Sequence, residues 1–115
     1  MDIRLKTARF EIGDKEYNLC CNMNVLAEVQ EMYDGNLFAA LNSTGTLKSI
    51  LSFLTAMVND NREAEGLEPF TVKEVGRMIP AGRLKPMRET VMQLVTYALM
   101  SDEAADETEE NEKNS

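Results

Sequence analysis

From Thr46 to Asn59 the polar residues Lys48, Ser52, Thr55 and Asn59 recur at intervals of three and four, and Leu47, Ile50, Leu51, Phe53, Leu54, Ala56, Met57 and Val58 fill the positions between them. That spacing places side chains on one side of an α-helix. The segment therefore predicts a helix whose apolar surface is wider than the roughly 100° stripe of an ordinary surface helix. Such a helix needs neighbours on two sides. At ~1.5 Å per residue it spans about 21 Å, the width of a small domain, which makes it the central post of the expected core.

Ahead of this segment, Ile3 and Leu5 alternate with Arg4 and Lys6, and Phe10 and Ile12 alternate with Glu11. After Gly13-Asp14-Lys15 the alternation resumes at Tyr17, Leu19 and Cys21. A period of two broken by Gly-Asp predicts a β-hairpin over residues 1–21. Two strands alone are marginal, so the face made by Phe10, Ile12, Tyr17 and Leu19 must lie on helices. Asn22 or Asn24 can cap a helix carrying Val25, Leu26, Val29 and Met32 and stopped at Gly35; Asn36 can cap a short helix through Leu41. Beyond the central post, Asp60 to Glu68 reads as a polar connection. Thr71-Val72-Lys73-Glu74 is a capping box, and Pro80-Ala81-Gly82 ends the short helix that it opens. From about Leu84 a last helix carries Met87, Val91, Leu94, Val95, Ala98 and Leu99 on one face, widened by Met92 and Met100. The expected fold is α+β and mainly helical, an N-terminal β-hairpin packed on a bundle of four to five helices. It forms one globular domain over residues 1–101, with helices in 22–101.

Charge changes this picture at the C-terminal end. From Asp102 onward seven acids stand against Lys113 alone, or −6, whereas the first 101 residues carry 13 acids and 11 bases, or −2. A short segment with this much like charge and no large apolar residue cannot offset its ordering entropy by burial, so residues 102–115 are expected to be a disordered acidic tail. No apolar run approaches the ~20 residues that a membrane span requires, and the start of the chain lacks the apolar core of a signal peptide. A cytoplasmic protein is expected. Cys20 and Cys21 are adjacent and there is no histidine, so a structural zinc site lacks its ligands; one thiol should be buried and its strand neighbour partly exposed.

The candidate chemistry consists mainly of absent patterns. There is no phosphate-binding glycine loop, no His-Glu-x-x-His, no Gly-x-Ser-x-Gly and no neutral-pH base, so neither an enzyme nor a cofactor is expected. Glu28, Glu31 and Asp34 read as a solvated helix face. Eight methionines are many for this length, and methionine is over-used at surfaces that accept varied apolar partners, although core filling accounts for most of them. Along the last helix, Arg83, Lys85 and Arg88 gather at the start and acids at the end, both against the helix dipole. This order invites a compensating partner. The expected partner-binding residues are therefore Met87, Val91, Met92, Val95, Leu99 and Met100 with Arg83, Lys85 and Arg88. The alternative is a small helix-turn-helix DNA-binding regulator, which the helix, Pro-Ala-Gly turn and basic helix start also suit. The acidic tail would repel phosphate, and Pro86 leaves few base-reading side chains.

Taken in order, the hairpin Phe10-Glu11-Ile12-Gly13-Asp14-Lys15-Glu16-Tyr17-Asn18-Leu19, the helix end Met32-Tyr33-Asp34-Gly35, the apolar helix near Leu51 to Asn59 and Pro69-Phe70-Thr71-Val72-Lys73-Glu74-Val75 resemble the tail assembly chaperones of long-tailed bacteriophages. The likeness covers roughly residues 8–79. It implies a non-catalytic protein of the host cytoplasm that coats the tape-measure protein during tail building and is absent from the finished virion; the two over-apolar helices lead separately to the expectation of a homo-oligomer. Such chaperones are often also made in a longer, frameshifted form, which the ending Glu112-Lys113-Asn114-Ser115 permits. The final apolar helix and the acidic tail depart from the family pattern.

Overall fold

The computed structural model describes residues 6–114, with side chains described for residues 6–100. Strands β1 (Thr7–Ile12) and β2 (Lys15–Cys20) pair antiparallel, with Phe10 opposite Tyr17 and Ile12 opposite Lys15. The two-residue turn between them needs a left-handed backbone, which Gly13 supplies at φ 63°. Phe10, Ile12, Tyr17 and Leu19 are buried, while Arg9, Glu11, Glu16 and Asn18 face solvent. The expected hairpin therefore forms with the expected face inward; its first five residues lie outside the described ones.

Local signals set the next starts and stops. The Asn22 side-chain carbonyl accepts from the amide of Val25 at 3.0 Å to open α1 (Met23–Met32), and its amide nitrogen donates to Asp60 at 2.8 Å, tying this start to the next long helix. Gly35, at φ 87°, donates its N–H to the Gln30 carbonyl at 2.8 Å and closes the turn after α1. Asn36 caps α2 (Leu37–Asn42) through the amide of Ala39. Thr46 caps α3 (Leu47–Ala64), and Thr71 opens α4 (Val72–Met78) with both capping-box bonds formed, at 3.1 and 2.9 Å. After Pro80 a 3-10 turn, Ala81–Arg83, leads into α5 (Leu84–Asn114).

Two of these elements differ from their expected extent. The first is α3, which runs five residues past Asn59, because Asp60 to Ala64 contains no Gly or Pro and the left-handed Gly66, at φ 77°, comes later. Tertiary bonds hold this extension. Asn61 donates to the Asn18 carbonyl at 2.7 Å, and Arg62 reaches the Tyr17 hydroxyl, the Glu68 carbonyl and the face of Phe70, whose ring centre is 3.8 Å away. The second is α5, whose backbone runs from Leu84 to Asn114. Residues 101–114 contain no Gly or Pro and are rich in Glu and Ala. The tail's side chains lie outside the described residues.

The chain is α+β and mainly helical, with its buried apolar side chains in one cluster around α3. α1, β2, α4 and α5 pack around that helix, and from Ser49 to Asn59 only Leu51 is short of full burial. Most of the polar stripe read from the sequence is therefore inside the core. Ser49 donates to the Ala40 carbonyl and Ser52 to the Lys48 carbonyl. The Asn59 amide both donates to and accepts from the Phe70 backbone, at 2.9 and 2.7 Å, which pins the chain entering α4. The Thr55 hydroxyl is buried without a partner.

Candidate partner-binding surface

The last helix divides the expected partner-binding residues between its two sides. Val91 and Val95 are buried in the core together with Leu94, so they are not available to a partner, which corrects the expectation for these two; Met87 is buried as well but lines the floor of a groove. Their spacing of three and four residues is the phase that packs α5 on α3 and β1. Leu99 and Met100 are about half exposed and Met92 is half-buried on the outer side. Lys85 and Arg88 are exposed, whereas Arg83 is half-buried with its guanidinium 4.9 Å from the centre of the Phe10 ring. Arg83 thus covers an edge of the core as well as carrying charge.

Two apolar depressions flank α5. The first, about 230 Å³, lies where the start of α3, the end of α4 and the start of α5 meet, and is lined by Leu47, Leu51, Gly76, Ile79, Pro80, Ala81, Leu84 and Met87. Leu47 is 52% and Leu84 47% exposed, so its walls keep apolar surface in water. The stretch of chain that forms much of it is basic in an acidic protein. Residues 72–88 carry Lys73, Arg77, Arg83, Lys85 and Arg88 against Glu74, or +4 in sequence, although the Arg83 guanidinium lies over Phe10 and the Lys48 ammonium 4.9 Å from the Tyr33 ring centre. The sequence reading missed Leu47, Leu51, Ile79 and Leu84 as surface residues, because each fits a helical apolar pattern and only the packing of α4 beside α3 leaves them at the mouth of a groove. Their one local signal was position, since Leu47 and Leu84 begin their helices.

The second depression, about 460 Å³, is a shallow face formed by Lys6, Met92, Gln93, Thr96, Tyr97 and Met100, with the Lys6 ammonium 5.5 Å from the Tyr97 ring centre. A third, about 260 Å³ and polar, lies between α1 and α3 at Asn24, Glu28, Ala56, Asp60 and Glu63. Glu28, expected on a solvated face, is half-buried here. Burial foremost, then the charge of Glu63, raises its pKa above the ordinary carboxylate value; a hydrogen bond from Asn59 acts the other way, and the charge of Asp60 adds to the rise. Among the described residues no group of three or more His, Cys, Asp or Glu could hold a metal, and no helix is long and apolar enough to cross a membrane.

Cysteine chemistry is suppressed on the same grounds. Burial, and secondarily the neighbouring Cys20, pushes the Cys21 thiol up to about 11; burial and then the charge of Asp60 raise Cys20, against a hydrogen bond from Asn22. As expected, one of the pair is buried and the other half-exposed. What the described surface offers is therefore apolar docking area on both sides of α5. No family model, curated protein or solved structure matches the chain, which leaves that surface as the ground for a functional reading.

Proposed function

We propose that this protein is a non-catalytic assembly chaperone of a long-tailed phage, acting in the host cytoplasm and left out of the finished virion, with the tape-measure protein as its client. The class of function comes from the resemblance over residues 8–79. The observation that carries it is the groove between α3, α4 and α5, an apolar floor formed largely by a basic stretch of chain. An amphipathic helix laid in a groove presents side chains at helical spacing to just such a floor, and acidic residues flanking the client's apolar stripe would match the rim.

Leu47 and Leu84 test the reading because both are exposed, so changing them leaves the core intact. Burying a leucine is worth about 1.5–3 kcal/mol, so Leu47→Glu or Leu84→Glu should each weaken client binding by roughly tenfold or more. The measurement is retention of tape-measure segments by the purified wild-type chain and by the two variants. Equal retention by all three removes the groove from the proposal, and no retention by any removes the client. The same +4 segment favours DNA binding as a second reading, which requires a mobility shift that falls steeply with salt and survives both leucine changes.

A further inference from the structure

We infer that Gly76 is the specificity-determining position of the groove, its missing side chain leaving the space that one phenylalanine ring of an acid-flanked partner helix fills. The inference rests on the client reading above and names the chemistry of the occupant. Gly76 lies inside α4, where glycine is a poorer helix former than any residue but proline. Two ordinary reasons for a glycine do not apply. Its φ is not among the positive ones, and a Cβ there would meet nothing nearer than Leu51 Cδ1 at 3.9 Å, an ordinary van der Waals contact. Leu51 is itself a wall of the groove. A side chain on this position would therefore stand in the groove without disturbing the core.

Size, lining and charge select the occupant. The groove holds about 230 Å³, less than the ~300–1,000 Å³ of sites for drug-sized molecules, whereas an apolar cavity of ~150 Å³ is enough for benzene. It takes one ring. Every side chain that lines it is apolar, so a phenol or an indole would bring in a polar group with no side-chain partner, and phenylalanine would not. Lys73 stands three residues before Gly76 and Arg88 four after Leu84, which sets each beside a groove-lining residue on the surface of its own helix. Both are exposed, and neither forms an ion pair among the described residues. Carboxylates on either side of the ring would meet them.

Methyl NMR spectra of the full chain titrated with toluene, which is the phenylalanine side chain by itself, test the inference. The signals of Leu47, Leu51, Ile79 and Leu84 should shift to saturation. Gly76→Ala should raise Tm by about 2–4 °C, because alanine is the better helix former, and should weaken toluene by about fourfold, the worth of one methyl-sized contact. Gly76→Met fills the groove and should weaken toluene by roughly tenfold or more. At low salt the wild-type chain should bind phenylpropionate more tightly than phenylpropylamine, and the gap should narrow as salt rises. No saturable shift in the wild type, a Tm lowered by Gly76→Ala, toluene binding that survives Gly76→Met unchanged, or the reverse order of the two charged probes overturns the inference. None of these readouts uses the tape-measure protein. Toluene binding without retention of tape-measure segments removes the client and leaves the ring site standing, whereas retention that Gly76→Met does not weaken removes the ring site and leaves the client.

Discussion

Thr55→Val should make this protein more stable, although it removes a polar residue from what reads as a polar stripe. Thr55 lies in the middle of α3 with no solvent exposure, and its hydroxyl has no hydrogen-bond partner. In the unfolded chain that hydroxyl is hydrated, so folding strips it of water without replacement, at a cost of about 1–3 kcal/mol. Valine keeps the β-branched shape, puts a methyl group where the hydroxyl was, and has nearly the same helix propensity. The gain should therefore be roughly 1–3 kcal/mol. Scaling ~2.1 cal/mol/K per residue to 115 residues makes each kcal/mol about 4 °C in Tm, so thermal unfolding followed by circular dichroism should show a rise of ~4–12 °C. Asn59→Leu is the control on the same stripe. It removes both bonds to the Phe70 backbone, each worth about 0.5–1.5 kcal/mol, and should destabilise by roughly 1–3 kcal/mol. An unchanged or lowered Tm for Thr55→Val would refute the reasoning, since it would mean that the hydroxyl is hydrogen-bonded in solution.

The half-buried carboxyl of Glu28 has a raised pKa, so the folded chain takes up its proton more readily than the unfolded chain does; its contribution is present at low pH and is lost as pH rises through the folded pKa. Glu28→Gln should accordingly raise stability at neutral pH and flatten the decline just above the ordinary carboxylate range, as read by urea unfolding across pH; a destabilised variant at neutral pH would show that the charge is compensated. Cys20 should react with an aromatic disulfide reagent before Cys21 in the native protein, both of them slowly at mildly alkaline pH because both thiols are held protonated, and both should react promptly once the chain is unfolded. Equal native rates would contradict the burial of Cys21.

The features legible in the sequence were those decided within a few residues. Gly13 and Asp14 interrupt an alternating pattern and produce the hairpin turn, Asn22 and Asn36 open helices, and Thr71 with Glu74 forms its capping box, because each of these bonds joins groups no more than three residues apart. The alternation of Phe10, Ile12, Tyr17 and Leu19 likewise determined which side of the hairpin turns inward, since a strand has only two faces.

Only the tertiary structure decided which side of a nearly all-apolar helix is outside. On α5, Met87 and Val95 differ little from Met92 and Leu99 in kind or spacing, and the phase is set by where α3 and β1 lie, which no local interval records. The same holds on α3. Ser49, Ser52 and Asn59 are polar yet buried, because the carbonyls of Ala40, Lys48 and Phe70 are within reach, and two of those three lie outside α3. Glu28 became a perturbed carboxyl only when packing on α3 buried it and brought Glu63 and Asp60 beside it. The groove at Leu47 and Leu84 exists because α4 and α5 both pack on α3 and leave a gap between them. Periodicity determines that a helix has a buried side; long-range packing, which depends on residues tens of positions apart, determines which side that is and what the other is free to bind.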